Sequence, residues 1–149
     1  MDRYLSDPIE LPYPRDRRDF ERADLIFDGV DHRKQSFEAR IFFDNPDADE
    51  STPLDEESGY AGSFVIFGHG GCAGDEGHCE IPENPDDTDD LRLPHPLHPA
   101  TKPVIVTDAL RRVEGESFTI TVVPVLPGQE RPRREDVLFF DSVDLLTYE

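Results

Sequence analysis

The sequence predicts an all-β protein: an antiparallel β-sandwich or flattened barrel of about six or seven strands, joined by long acidic, proline-rich loops. Three observations carry this. Segments such as SFEARIFF (36–43) and SFTITVVPVL (117–126) alternate apolar and polar residues with a period of two. No stretch shows convincing helical periodicity. The apolar runs are short, and fourteen prolines punctuate the chain.

The elements follow in order. Residues 1–22, MDRYLSDPIELPYPRDRRDFER, read as an extended arm, because Pro8, Pro12 and Pro14 interrupt any regular pattern. Residues 23–149 read as a single sandwich domain. ADLIFDGV (23–30) is its first apolar run. In 36–43, Phe37, Ala39, Ile41 and Phe43 share one face, with Glu38 and Arg40 on the other. DNPDADESTPLDEESG (44–59) is an acidic, solvated loop. YAGSFVIFG (60–68) is nearly all apolar after Ser63, which predicts a central strand. A long Pro- and Asp-rich connection occupies 80–101. KPVIVTDAL (102–110) is a β-branched run, and ALRRVEG (109–115) adds a helical turn before Gly115. Pro124 within 117–126 predicts an edge or a bulge. VLFFDSVDLLTYE (137–149) supplies the last one or two strands.

Composition narrows the function. At 149 residues the chain can bury a real core, and ten Phe and four Tyr supply bulk for it. The net charge of −19 argues against nucleic acid and anionic membranes as partners, since both need clustered Lys and Arg. It suits solubility, or attraction to a cation or a basic partner. The N-terminus MDRYLSDPIE has no basic region followed by an apolar run, and no segment is long and apolar enough to span a bilayer. The expected location is cytoplasmic, or outside the cell in company with a partner that carries the export signal.

The chemistry concentrates in GHGGCAGDEGHC (68–79), which holds both cysteines, two of the five histidines and half of the ten glycines. His69, Cys72, His78 and Cys79 form an N/S donor set suited to zinc or copper. The spacing is not that of a zinc finger, and adjacent His78 and Cys79 need a kinked backbone to share one ion. A Cys72–Cys79 disulfide would close a short loop and stabilise by roughly 2–3 kcal/mol. Free thiols in a tight glycine-shaped loop are the third reading. A Cys–His nucleophile lacks any orienting third group. The loop is no phosphate cradle either, because it lacks the Gly-Lys-Ser/Thr ending and carries Asp75 and Glu76.

DHRKQSFEARIFFDNPDADESTP, GYAGSFVIFGHGGCAGDEGHC, KPVIVTDALRR and FTITVVPV together resemble a β-rich region of bacterial tyrosinase-family proteins, the one that follows the dicopper domain. A more distant resemblance extends to the C-terminal domain of plant polyphenol oxidases and the β-sandwich of haemocyanin units. The similarity spans roughly residues 23–149, and YAGSF followed by HGGC is its most specific part. In that family the copper chemistry belongs to a four-helix bundle with six histidines. This chain has only His32, His69, His78, His95 and His98 and no such bundle, so no dicopper ligand carries over.

The resemblance therefore implies an accessory domain or subunit that packs on and covers a dicopper oxidase, not an enzyme by itself. It implies a steric mechanism, with a loop side chain in the substrate entrance. Phe67 is a candidate to face the partner, as are His95 and His98 in PHPLHP, which otherwise read as exposed residues of an extended loop. Two other functions stay open: a small metal-binding protein, delivering copper or holding structural zinc through the 69–79 loop, and an assembly module without a site. Elemental analysis with thiol titration separates them. A bound ion predicts stoichiometric zinc or copper that Cys72→Ser loses, whereas a bridge predicts a metal-free protein with no titratable thiol.

Overall fold

The computed structural model describes residues 3–14, 19–68, 98–127 and 137–149. Among these the alternating segments form β-strands, and the inward members of the alternation bury. Strand β3 (Arg22–Val30) turns Ala23, Leu25 and Phe27 inward, each fully buried. Strand β4 (Phe37–Phe43) does the same with Phe37, Ala39 and Ile41. The remaining elements are β1 (Tyr4–Leu5), β2 (Ile9–Glu10), β5 (Tyr60–Ile66), β6 (Ala100–Ile105), a short helix α1 (Thr107–Arg112), β7 (Ser117–Phe118), β8 (Ile120–Val125) and β9 (Ser142–Tyr148).

The strands pair antiparallel throughout. One sheet has the order β1-β8-β4-β5, the other β6-β3-β9, and β2 and β7 form a small third ladder. The two larger sheets form a sandwich around one core. Aromatic rings bridge it: Phe27 of β3 lies 5.0 Å from Phe64 of β5, and Phe43 lies 4.6 Å from Phe118. Leu110 of α1 plugs one margin of the core, fully buried.

Several local features differ from the sequence expectation. Strand β5 is an edge strand of its sheet rather than central. Its apolar character reflects the sandwich corner, where β6 of the opposite sheet comes against it. A Cβ at Gly62 would meet Val104 Cγ1 at 2.8 Å, so glycine there lets the two strands approach. The extended N-terminal residues add short ladders: Tyr4 pairs with Val122, and Ile9 with Phe118. Strand β8 lies inside its sheet, but β1 covers only Thr121 and Val122. Pro124 falls beyond that ladder, where its missing N–H removes no β1 pairing.

The acidic loop 44–59 is built rather than merely solvated. Ala48 buries with Phe42 and Val123 on the outer face of the four-stranded sheet. The Asn45 amide donates to the Ser58 carbonyl at 2.8 Å, and Thr121 donates to the Asn45 carbonyl at 2.8 Å. Gly59 closes the loop with φ +80°, and a Cβ there would run into the Phe43 carbonyl.

Two substitutions test this packing, and a third at an exposed position is the control. Phe27→Ala should cost about 3–5 kcal/mol in denaturant unfolding, as for a buried aromatic. Gly59→Ala should destabilise through backbone strain by about 1–3 kcal/mol. Ile105→Ala, at a position 59% exposed, should stay within about 0.5 kcal/mol of wild type.

Candidate functional site

One end of the sandwich gathers the turn 31–36 between β3 and β4, the exit of β5 at 67–68, the entry to β6 at 98–99, and residues 139–141 ahead of β9. The physical cause is backbone pairing that continues past the strands. The Asp31 N–H donates to the Phe139 carbonyl at 2.9 Å, and the Asp141 N–H to the Asp28 carbonyl at 2.8 Å. Thr101 donates its hydroxyl to Asp28 at 2.8 Å. A cleft of about 490 Å³ lies here, with His32, Arg33, Lys34, Pro99, Phe139 and Asp141 among its walls.

Phe67 stands at this end with 79% of its surface exposed. Leaving an aromatic in water forgoes about 1.5–3 kcal/mol of burial. Its neighbours leave it no inward route. Ile66, one residue before, is buried in the core. Gly68, one residue after, is pressed against the backbone of Lys34, Gln35 and Ser36, where a Cβ would clash. The Gly68 N–H donates to Ser36 Oγ at 2.9 Å. The ring is thus held outward by a fixed base.

The turn beneath it is cationic in an otherwise acidic chain. The Lys34 ammonium sits 4.4 Å from the centre of the Phe139 ring, a cation–π contact, and Phe139 is itself 40% exposed. Arg33 Nε lies 3.0 Å from Asp31 Oδ1. Burial pushes the Asp31 carboxyl up, but hydrogen bonds from the Arg33 side chain and backbone and the charges of Arg33 and Lys34 outweigh it, so its pKa is lowered. The His32 ring contacts the His98 carbonyl through Nε2 and ties the turn to the start of β6.

The candidate residues fare unequally. Phe67 and His98 both belong to this end, and His32 joins them there. His69, Cys72, His78, Cys79 and His95 lie outside the described residues. Among the described residues no group of three or more His, Cys, Asp or Glu side chains is arranged to hold a metal ion. Lys34 and Phe139 were not among the expected site residues, although the HRK triplet at 32–34 and the paired aromatics at 139–140 are visible signals. A second cleft of about 730 Å³ lies at the opposite end of the four-stranded sheet, between Asp44, Glu56, Glu57, Arg112 and Glu114. Arg112 approaches Glu56 there at 3.5 Å.

These features define a β-sandwich that presents an aromatic, cationic end. No protein-family model and no curated protein matches the chain. Solved structures do. A recombinantly expressed latent aurone synthase (polyphenol oxidase) superposes with a TM-score of 0.53 at 17% identity, over 99% of this chain and 24% of that one. The latent aurone synthase (polyphenol oxidase) from natural source gives 0.52 at 16% identity, over 98% of this chain and again 24% of the other. The chain therefore shares its fold with a portion of polyphenol oxidase chains and spans about a quarter of their length.

The Asp31 pairing carries a pH signature. A lowered folded-state pKa means that the pair's stabilisation is complete above the ordinary Asp value of 3.8. It is lost as pH falls through the lower folded value. Carboxyl titration by NMR should find Asp31 below that ordinary value in the wild type and higher in Arg33→Ala.

Proposed function

We propose that this chain is a noncatalytic accessory domain or subunit of a tyrosinase-type dicopper oxidase, packing on it and covering the mouth of its copper site. One observation carries the reading: essentially the whole chain matches about a quarter of a polyphenol oxidase described as latent. The exposed Phe67, on a main chain pinned at Gly68, supports it further. The sequence resemblance to the β-rich region following a dicopper domain points the same way.

The division of labour follows from the residues. The coppers and their histidines belong to the oxidase body. This chain supplies shape. Phe67 occupies the substrate entrance, where a rigid apolar ring excludes a phenolic substrate by volume. The Gly68 contact with the 34–36 backbone fixes the main chain from which the ring projects. His98 and the Lys34–Phe139 pair flank the insertion. Displacing the chain opens the site.

Co-purification from the native source should recover an oxidase that contains copper and oxidises catechols. Adding the chain to that oxidase should suppress catechol oxidation. Phe67→Ala should relieve most of the suppression while leaving the complex intact by size exclusion. A wild-type chain that never accompanies a copper oxidase would refute the reading.

A further inference from the structure

The two larger sheets end in four edge strands, β1 and β5 in one and β6 and β9 in the other. Edge strands resist further pairing when they are short, bulged, proline-bearing or covered. Strand β1 is two residues long. Strand β5 has a register shift against β4 between Ile41 and Phe42, and Val104 of β6 comes close at its Gly62. Strand β6 shifts against β3 between Phe27 and Val30, and its Pro103 lacks an N–H. Strand β9 has none of these protections. Its seven residues, SVDLLTY, pair with β3 in unbroken register from Ser142 to Tyr148. They include no proline or glycine and a single charge, Asp144. Among the described residues no strand pairs with its other side.

The side chains of β9 are also left short of burial. Val143 and Leu145 pack against the core only in part, whereas their register partners on β3, Phe27 and Leu25, bury fully. One more antiparallel strand would satisfy the free main-chain groups and cover these side chains together.

The pattern of β9 fits that place itself. A twofold axis through Leu146 sets Leu146 against its own copy and Leu145 against Thr147 of the second copy, inward side to inward side. On the outer side it sets Asp144 opposite Tyr148 of the second copy. The Tyr148 ring centre lies 5.9 Å from the Arg22 guanidinium, so each Asp144 carboxylate meets a phenol donor backed by a cation. An axis through Leu145 would instead set Asp141 against Glu149, like charge against like. The net charge of −19 opposes association at low salt. At physiological salt, screening over about 8 Å confines that repulsion to charges near the seam, where the Leu146 register is complementary.

We propose that two copies of the chain join antiparallel through β9 about a twofold axis at Leu146, giving one continuous sheet in the order β6-β3-β9-β9-β3-β6. The seam consumes both free β9 edges and leaves the Pro103-bearing β6 strands at the ends, so assembly closes at two copies. Such pairing is independent of the accessory role.

Sedimentation of the chain from about 1 to about 100 µM at about 0.15 M salt tests the seam. Wild type should pass from monomer to dimer over this range. Leu146→Glu puts two carboxylates face to face on the axis and should weaken the dimer at least about tenfold. Val65→Glu, on the outer face of the other sheet, should dimerise like wild type. Asp144→Asn and Tyr148→Phe should each weaken it about threefold, and the double variant by less than the product of the two. Four residues along one strand span about 13 Å, so that coupling arises only across the seam. Unfolding midpoints matching wild type keep a folding defect from mimicking the loss, and the conservative pair at 144 and 148 keeps the test valid should Leu146→Glu unfold. A wild type that stays monomeric throughout, a folded Leu146→Glu chain that dimerises normally, or losses at 144 and 148 that simply multiply would each overturn the seam. Disruption by Val65→Glu would move the contact to the other sheet and overturn it equally.

Discussion

The Phe27 ring meets Phe64 at 5.0 Å and Phe140 at 5.2 Å. One side chain of β3 therefore touches the edge strand of the opposite sheet and the segment leading into β9. Phe140 in turn meets Tyr4 of β1 at 4.8 Å. Pulling these rings apart would separate the sheets and the stretch 139–141 together. The rest follows from this contact. Strand β3 is central because both of its ladders are occupied, by β6 and by β9. The loop end is stiff because 139–141 is held from the core side by Phe140 and from the turn side by the Asp31–Phe139 hydrogen bond.

Function is layered on that frame by exceptions to burial. An interior ordered by period-two alternation should leave the large apolar residues inside. Phe67 at an end and Tyr148 on a face are two that break that pattern, alongside Leu5, Leu54, Val65, Ile105, Phe139 and Leu146. Neither exception comes from looseness. Phe67 is bracketed by a buried Ile66 and a packed Gly68, and Tyr148 is held by Arg22. Exposed apolar side chains of this kind are surface that a partner can bury.

Much of the fold was legible in the sequence because alternation reports directly on which side of a strand faces the core. Strands β4, β5, β8 and β9 fall within the runs read from the sequence, and β3 exceeds its run by Arg22. Strand order was not legible. YAGSFVI looks central by composition, yet a strand at a sandwich corner is also enclosed by the neighbouring sheet, and periodicity does not distinguish the two. The ladders of Tyr4 and Ile9 were hidden among prolines and charges, because two-residue strands carry no period. The site divided along a different line. The glycine, cysteine and histidine motif announced itself by composition, while the cationic end needed three dimensions. Lys34 and Phe139 are far apart in sequence and meet only once β3 and β9 are paired.

The described residues on either side of 69–97 are fastened to the same short turn. Gly68 is held by Ser36, and His98 by the ring of His32. The exit of β5 and the entry of β6 are therefore both fixed to the 31–36 turn. A turn held from both sides couples those two strands, so a change in the 31–36 backbone displaces the ends of both together.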